Sequence, residues 1–205
     1  MFQCMARVRD VFDLRALYRT LQASGHDVTA RSPGSLGQTV PNLEQWQVGS
    51  LSAKINGFSV FVFQNQKVKI SGGSKGFYES GESNYERWMD QHVVSMVMSV
   101  LRSDCVEWKL SLLNGSQTLS NVDASNYMRV CEGLKTTRTF VRVIPPSMFT
   151  APSKRGRICS VCLKCATGGS IRFDHSGKAQ MFAFRSLEDM NESVQHLIEI
   201  LRNFT

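Results

Sequence analysis

A short, mainly apolar run from Gln3 to Val8 reads as a strand, and a longer period follows it: Leu14, Leu17, Tyr18 and Leu21 recur on one face between Asp13 and Ala23. A period of two marks a strand and a period near 3.6 a helix, and Gly25 stands where such a helix would stop. Residues 26–44 are rich in Ser, Gly, Thr and Pro and read as a loop. Leu51–Ile55 and Phe58–Phe63 then flank Asn56-Gly57, the dipeptide best suited to the left-handed backbone of a two-residue hairpin turn. Lys67–Ser71 supplies a further strand. Gly72, Gly73, Gly76 and Gly81 form a flexible lead into a helix from about Asn84 to Arg102, striped by Tyr85, Trp88, Met89, His92, Met96, Val97 and Val100.

The same order returns with more irregularity. Trp108–Leu113 reads as a strand, and Asp123 occupies the N-cap position of a helix whose Tyr127, Val130, Cys131 and Leu134 share a face. Thr139–Ile144 is an extra strand that ends at Pro145-Pro146. A basic loop, Lys154-Arg155-Gly156-Arg157, leads to strands near Ile158–Cys165, Ser170–Phe173 and Lys178–Phe184. The last helix, Leu187–Asn203, buries a stripe of Leu187, Met190, Val194, Leu197, Ile198 and Leu201.

One local pattern occurs twice: Phe63-Gln64-Asn65-Gln66-Lys67-Val68-Lys69-Ile70-Ser71-Gly72 and, more loosely, Phe173-Asp174-His175-Ser176-Gly177-Lys178-Ala179-Gln180-Met181-Phe182. Each copy is a strand, a polar turn and a strand, and an amphipathic helix follows each. Repetition in fixed order predicts one architecture used twice. The expected class is α+β, with repeats at 1–103 and 104–205 inside one integrated domain. Two such halves joined edge to edge give one long antiparallel sheet with helices on one face, and the other face is left for a partner.

Charge adds to this picture only in outline. The 205 residues carry a net charge of +7, a balance that suits an anionic partner without naming it. No stretch approaches the roughly 20 apolar residues that cross a bilayer, and Arg7, Arg9 and Asp10 break any leader-like apolar run, so no membrane partner is expected and the chain reads as intracellular. Six scattered cysteines fit reduced thiols better than a disulfide framework. Cys159, Cys162 and Cys165 have the spacing of a metal motif, but on a strand Cys162 faces away from the other two, and His175 alone is a poor fourth ligand. No metal and no cofactor are expected. The four histidines lie in unrelated contexts and Gly72-Gly73-Ser74-Lys75-Gly76 lacks P-loop spacing, so no catalysis is expected either.

The repeat order, with Phe61-Val62-Phe63, Lys67 and Ser71-Gly72 in the first copy and Ser176-Gly177-Lys178 in the second, resembles the TATA-box-binding protein (TBP) family, as a divergent member of viral or otherwise specialised type. The resemblance implies a TBP-like saddle with helices on the convex face, whose concave sheet lies on the DNA minor groove while paired phenylalanines wedge between base steps. Carried onto this chain, it implies wedges at Phe63 and Phe173, with Trp46 as the mate of Phe63 and Phe149 as a substitute mate for Phe173. Alternation puts Phe61, Phe63, Lys67, Lys69 and Ser71 on one face, which the resemblance makes the DNA face. In the second copy the implied contacts are Ile171, Arg172, Phe173, Lys178, Gln180 and Phe182, with Lys67, Lys69, Arg172 and Lys178 supplying charge.

The implied partners are double-stranded DNA, an A·T-rich promoter, and RNA polymerase or other general transcription factors. The implied location is the nucleus, or the site of viral transcription for a viral protein. An alternative keeps the fold but makes the chain a protein-interaction scaffold in a transcription complex, without autonomous DNA binding. It is favoured by an incomplete second wedge pair and by the lack of the family's central asparagines near Gln3 or Leu112. The bland reading stays beside both: aromatic residues on strands also serve as core.

Overall fold

The computed structural model describes residues 1–34, 38–145 and 160–204. The chain divides into two compact units, Met1–Leu110 and Ser111–Thr205. The first contains β1 (Phe2–Val8), α1 (Leu14–Ala23), β2 (Val28–Arg31), β3 (Ser50–Ile55), β4 (Phe58–Phe63) and β5 (Lys67–Gly72). It continues through α2 (Lys75–Ser80), α3 (Tyr85–Trp88), a π-helical turn (Met89–Val94) and α4 (Ser95–Leu101). β6 (Cys105–Thr118) begins in this unit and ends in the second, which adds α5 (Tyr127–Gly133), β7 (Phe140–Ile144), β8 (Ser160–Cys165), β9 (Ser170–Asp174), β10 (Lys178–Phe184) and α6 (Leu187–Arg202).

In the first unit the strands lie in the order β2-β3-β4-β5-β1, and in the second in the order β7-β8-β9-β10-β6. Within each unit every neighbouring pair in this order is antiparallel. Element for element the strands of the two units follow the same order, the repetition expected from the duplicated motif.

Each sheet buries one face under its helices. In the first unit Phe2, Cys4, Ala6 and Val8 alternate inward on β1, and Val60, Val62, Val68 and Ile70 do so on β4 and β5. Phe2 meets Trp88 edge-on at 6.4 Å between ring centroids, so the helix over this face comes from the α3 region. In the second unit Phe173 meets Tyr127 of α5 edge-on at 6.1 Å, and Phe140 packs on His196 of α6 at 5.4 Å. Burial of this kind is the main stabilising term and scales with the apolar area removed from water.

Several local expectations are corrected. β2 lies inside the 26–44 segment read as loop. α2 forms within the glycine-rich lead because Phe77 is buried against Tyr85 and Trp88, at 5.0 and 5.8 Å between centroids. The helix read over Asn84–Arg102 is interrupted by the π-helical turn, and β6 is much longer than Trp108–Leu113. Asp123 does not cap α5, whose N-cap is Asn126. Its carboxylate instead accepts from the Ser125 and Asn126 backbone N–H groups in the turn before that helix. The Asn56-Gly57 turn is as expected, with both residues at positive φ and Ile55 paired to Phe58.

Candidate nucleic-acid interface

The face of the first sheet away from its helices is ordered in rows by strand register. Met5, Lys69, Phe61, Ser52 and Thr29 stand side by side across β1, β5, β4, β3 and β2. Gln3, Ser71, Ser59 and Lys54 form a second row. Arg7 pairs with Lys67, and Phe63 with Ser50 and then Arg31, at the end nearer the β4–β5 turn. The five strands contain Arg7, Arg31, Lys54, Lys67 and Lys69 and no carboxylate. Asp27, just before β2, borders a shallow depression of about 170 Å³ into which Phe61, Ser52 and Thr29 face. Lys69 lies over the Phe61 ring, 5.6 Å from its centroid, an arrangement in which the ring quadrupole attracts the ammonium.

All of Phe61, Phe63, Lys67, Lys69 and Ser71 therefore occupy the uncovered face, and the two phenylalanines are partly exposed. Gly72 closes β5 where a Cβ would lie 2.4 Å from the Phe58 ring, so a side chain there would displace that ring. Trp46 is 47% exposed in the turn before β3, and its carbonyl accepts from the Arg15 guanidinium of α1 at 3.2 Å. Among the described residues no ring contact joins Trp46 to Phe63.

The second unit distributes the implied contacts over both faces. Arg172 pairs with Gln180 and Cys162, and Lys178, Gln180 and Phe182 share its face. Arg172 Nε donates to Ser160 Oγ at 2.6 Å on that face, and Phe182 is 37% exposed. Phe173 and Ile171 are both 0% exposed and belong to the core. They are corrected here from groove contacts to packing residues. The reason is one of parity: Asp174, not Phe173, lies immediately before the His175-Ser176-Gly177 turn, as Phe63 lies before Gln64-Asn65-Gln66. Counting from the turn, Phe61 and Phe63 correspond to Arg172 and Asp174, and Lys67, Lys69 and Ser71 to Lys178, Gln180 and Phe182. Phe149, the Lys154–Arg157 loop and Cys159 lie outside the described residues.

The two turns are built alike. Val8 N donates to the Gln66 carbonyl at 2.9 Å, and Leu119 N donates to the Gly177 carbonyl at 2.8 Å. Gln66 and Gly177 both have positive φ, at 61° and 75°. Burial would raise the Asp174 carboxyl, but hydrogen bonds from the Ser176 side chain and backbone and the Lys178 backbone, together with the His175 charge, outweigh it and hold the group below its usual value.

Sequence reasoning missed Asn114. It lies on β6 on the face of Ser116, whose partner is Gln180, and its Oδ1 accepts from Ala183 N at 2.9 Å. The β10–β6 register slips there, between Met181 and Phe184, and Ala183 takes a φ of 60°. This is a β-bulge, a device that re-aims a strand locally. The two described cysteines of the Cys159–Cys165 run diverge: Cys165 sits beside Ser193 of α6, while Cys162 lies on the Arg172 face. Burial raises the Cys165 thiol and pushes the Cys4 thiol up to about 12. Among the described residues no cluster of metal-binding side chains is present.

A mixed α+β chain whose two units repeat one antiparallel strand order, each with helices on one face of its strands, has the fold of TBP. The solved TBP of Methanococcus jannaschii superposes with a TM-score of 0.56 at 12% sequence identity, over 98% of this chain and 95% of that one. No family model matches the sequence, and no curated protein matches it.

Proposed function

We propose that the chain is a non-enzymatic, DNA-binding transcription initiation factor of the TATA-box-binding type, and that the uncovered face of its first sheet enters the minor groove of A·T-rich duplex DNA. The observation that carries the reading is the composition of that face: five cations and no carboxylate on five strands, around Phe61 and Phe63. Net charge by itself says little, but its placement says more. Segment 75–101 holds Glu79, Glu82, Glu86 and Asp90 against Lys75 and Arg87, and α6 holds four carboxylates against Arg202, so the positive excess is on strands rather than on these helices. Cations there neutralise phosphates, and apolar wedges unstack a base step at a cost of a few kcal/mol that wider contact with bent DNA offsets. Phe63 is the wedge, Phe61 lines the groove beside it, and Lys67, Lys69 and Lys178 contact the backbone. The helix-covered sides would then be available to polymerase or other initiation factors in the nucleus.

The second sheet favours a second reading, a scaffold within a transcription complex that does not bind DNA alone. Where the first unit has Phe61 and Phe63, the second has Arg172 and Asp174, and a carboxylate at that place repels phosphate. Binding and bending of end-labelled A·T-rich and G·C-rich duplexes across a salt series, with wild type and Phe63→Ala, separates the two. Salt-sensitive bending that the substitution abolishes supports the groove reading. Absence of binding and bending at low salt overturns it in favour of the scaffold.

A further inference from the structure

The shallow depression of about 170 Å³ on the first sheet's uncovered face spans β2, β3 and β4. Phe61 walls it on the β5 side, and Thr29, Ser52, Ser59 and Lys54 complete the lining from the strands. Asp27 stands at its rim, one alternation before Thr29, with its carbonyl accepting from Lys54 N at 3.1 Å. The volume far exceeds the roughly 30 Å³ that one water occupies in the liquid, so a small polar group enters without displacing a side chain.

Asp27 is out of place on a surface that is to meet phosphate. The five strands carry five cations and no carboxylate, and a carboxylate beside them costs affinity for any polyanion. Nor is it neutralised. The one cation of the lining, Lys54, donates from Nζ to Ser59 Oγ at 2.6 Å and forms no ion pair with Asp27. Among the described residues no group bonds to the Asp27 carboxylate or to the Thr29 and Ser52 hydroxyls. Three acceptors therefore border one depression, and the carboxylate among them only accepts.

The minor groove presents one group that suits such a set. A·T pairs offer only acceptors there, adenine N3 and thymine O2, whereas a G·C pair adds the guanine 2-amino group, a donor. Against a flat apolar surface that group would lose its water and stay unpaired. In a depression bordered by acceptors it keeps its hydrogen bonds.

We propose that the depression receives the 2-amino group of one guanine, with the Ser52 and Thr29 hydroxyls and the Asp27 carboxylate as acceptors, so that the chain reads a single G·C pair beside Phe61 in an otherwise A·T-rich site. The proposal rests on the groove reading of the first sheet and adds a base preference to it.

Inosine is guanine without the 2-amino group, so G·C and I·C pairs differ in the minor groove at that group alone. Competition binding at fixed salt tests the proposal, with an A·T-rich parent duplex in which each base pair in turn is replaced by G·C or by I·C. At one position G·C is expected to bind at least about fivefold more tightly than I·C. Asp27→Ala and Thr29→Val/Ser52→Ala should each reduce that ratio towards one with circular dichroism spectra unchanged. Asp27→Ala also removes a negative charge and strengthens binding of all duplexes alike, so the ratio rather than the affinity is the readout. G·C binding no better than I·C at every position, while the parent is bound, overturns this proposal and leaves the groove reading standing. A ratio unchanged in both variants overturns it as well. Failure to bind any duplex at low salt overturns the groove reading and this proposal with it.

Discussion

The two sheets have one strand order and one turn geometry, yet their uncovered faces carry different chemistry. Beside the β4–β5 turn stand Phe61 and Phe63; beside the β9–β10 turn stand Arg172 and Asp174. Lysine begins the following strand in both, as Lys67 and Lys178. The features held in common are those that set register and turn: a positive-φ residue, a backbone bond closing the turn, and inward apolar residues at period two. The features that differ are side chains no packing constraint reaches. A fold therefore specifies its buried face strictly and leaves the opposite one to function.

The largest effect that tests this contrast is at the two phenylalanines. Phe173 is fully buried against Tyr127, and Phe173→Ala is expected to destabilise the chain by about 3–5 kcal/mol through lost burial and a residual cavity. Phe63→Ala removes a partly exposed ring, and should cost less than about 1.5 kcal/mol. Denaturant unfolding of both variants gives the comparison. Equal costs would mean that Phe63 is core as well, and the first face would lose its claim to a wedge.

That pair also marks how far the residues alone could lead. The stripes of α1 and α6, the hairpin at Asn56-Gly57 and the face shared by Phe61, Phe63 and Lys69 were legible, because burial imposes period on sequence. Phe173 was not, since the loose second copy of the motif aligns by one residue too few and a single step reverses the face of a strand. β2 was hidden because four residues among Ser, Gly and Pro carry little period, and their pairing partner β3 lies far along the chain. α2 was hidden because its order comes from the contacts of Phe77 with Tyr85 and Trp88, a tertiary effect that overrides two flanking glycines.

A smaller contrast lies in the turns. A Cβ at Gly177 would lie 2.4 Å from the Val122 carbonyl oxygen and 2.6 Å from that of Leu119, and its φ is 75°. Gly177→Ala therefore meets backbone on both counts and is expected to cost about 2–3 kcal/mol. Gln66 holds the same position in the first turn at a φ of 61°, with its side chain bonded to the Arg9 carbonyl. Gln66→Gly removes the left-handed penalty and that bond together, so a change within about 1 kcal/mol is expected. Thermal melts at matched pH measure both. A tolerated Gly177→Ala would mean that the second turn is not built as tightly as the first.

The smallest effect is electrostatic and bears most directly on function. Asp174 stands where Phe63 stands in the first unit, and its carboxyl titrates below the usual range because the Ser176 and Lys178 hydrogen bonds and His175 outweigh its partial burial. A depressed folded-state value means that the carboxylate contributes stability above the unfolded value of about 3.9 and loses it as pH falls through the lower folded value. Asp174→Asn keeps an acceptor oxygen in the turn and deletes only the charge. It should therefore lower stability by under about 1 kcal/mol at pH 7, and the deficit should vanish as pH drops below about 4. In duplex binding the sign reverses. Removing a negative charge from beside Lys178 and Arg172 should strengthen binding severalfold at low salt, with the gain fading as salt screens it. A stronger-binding, slightly less stable variant would mean that the second face meets phosphate but is held back by its own carboxylate. Unchanged binding would place the second face outside any DNA contact and leave the first unit to act alone.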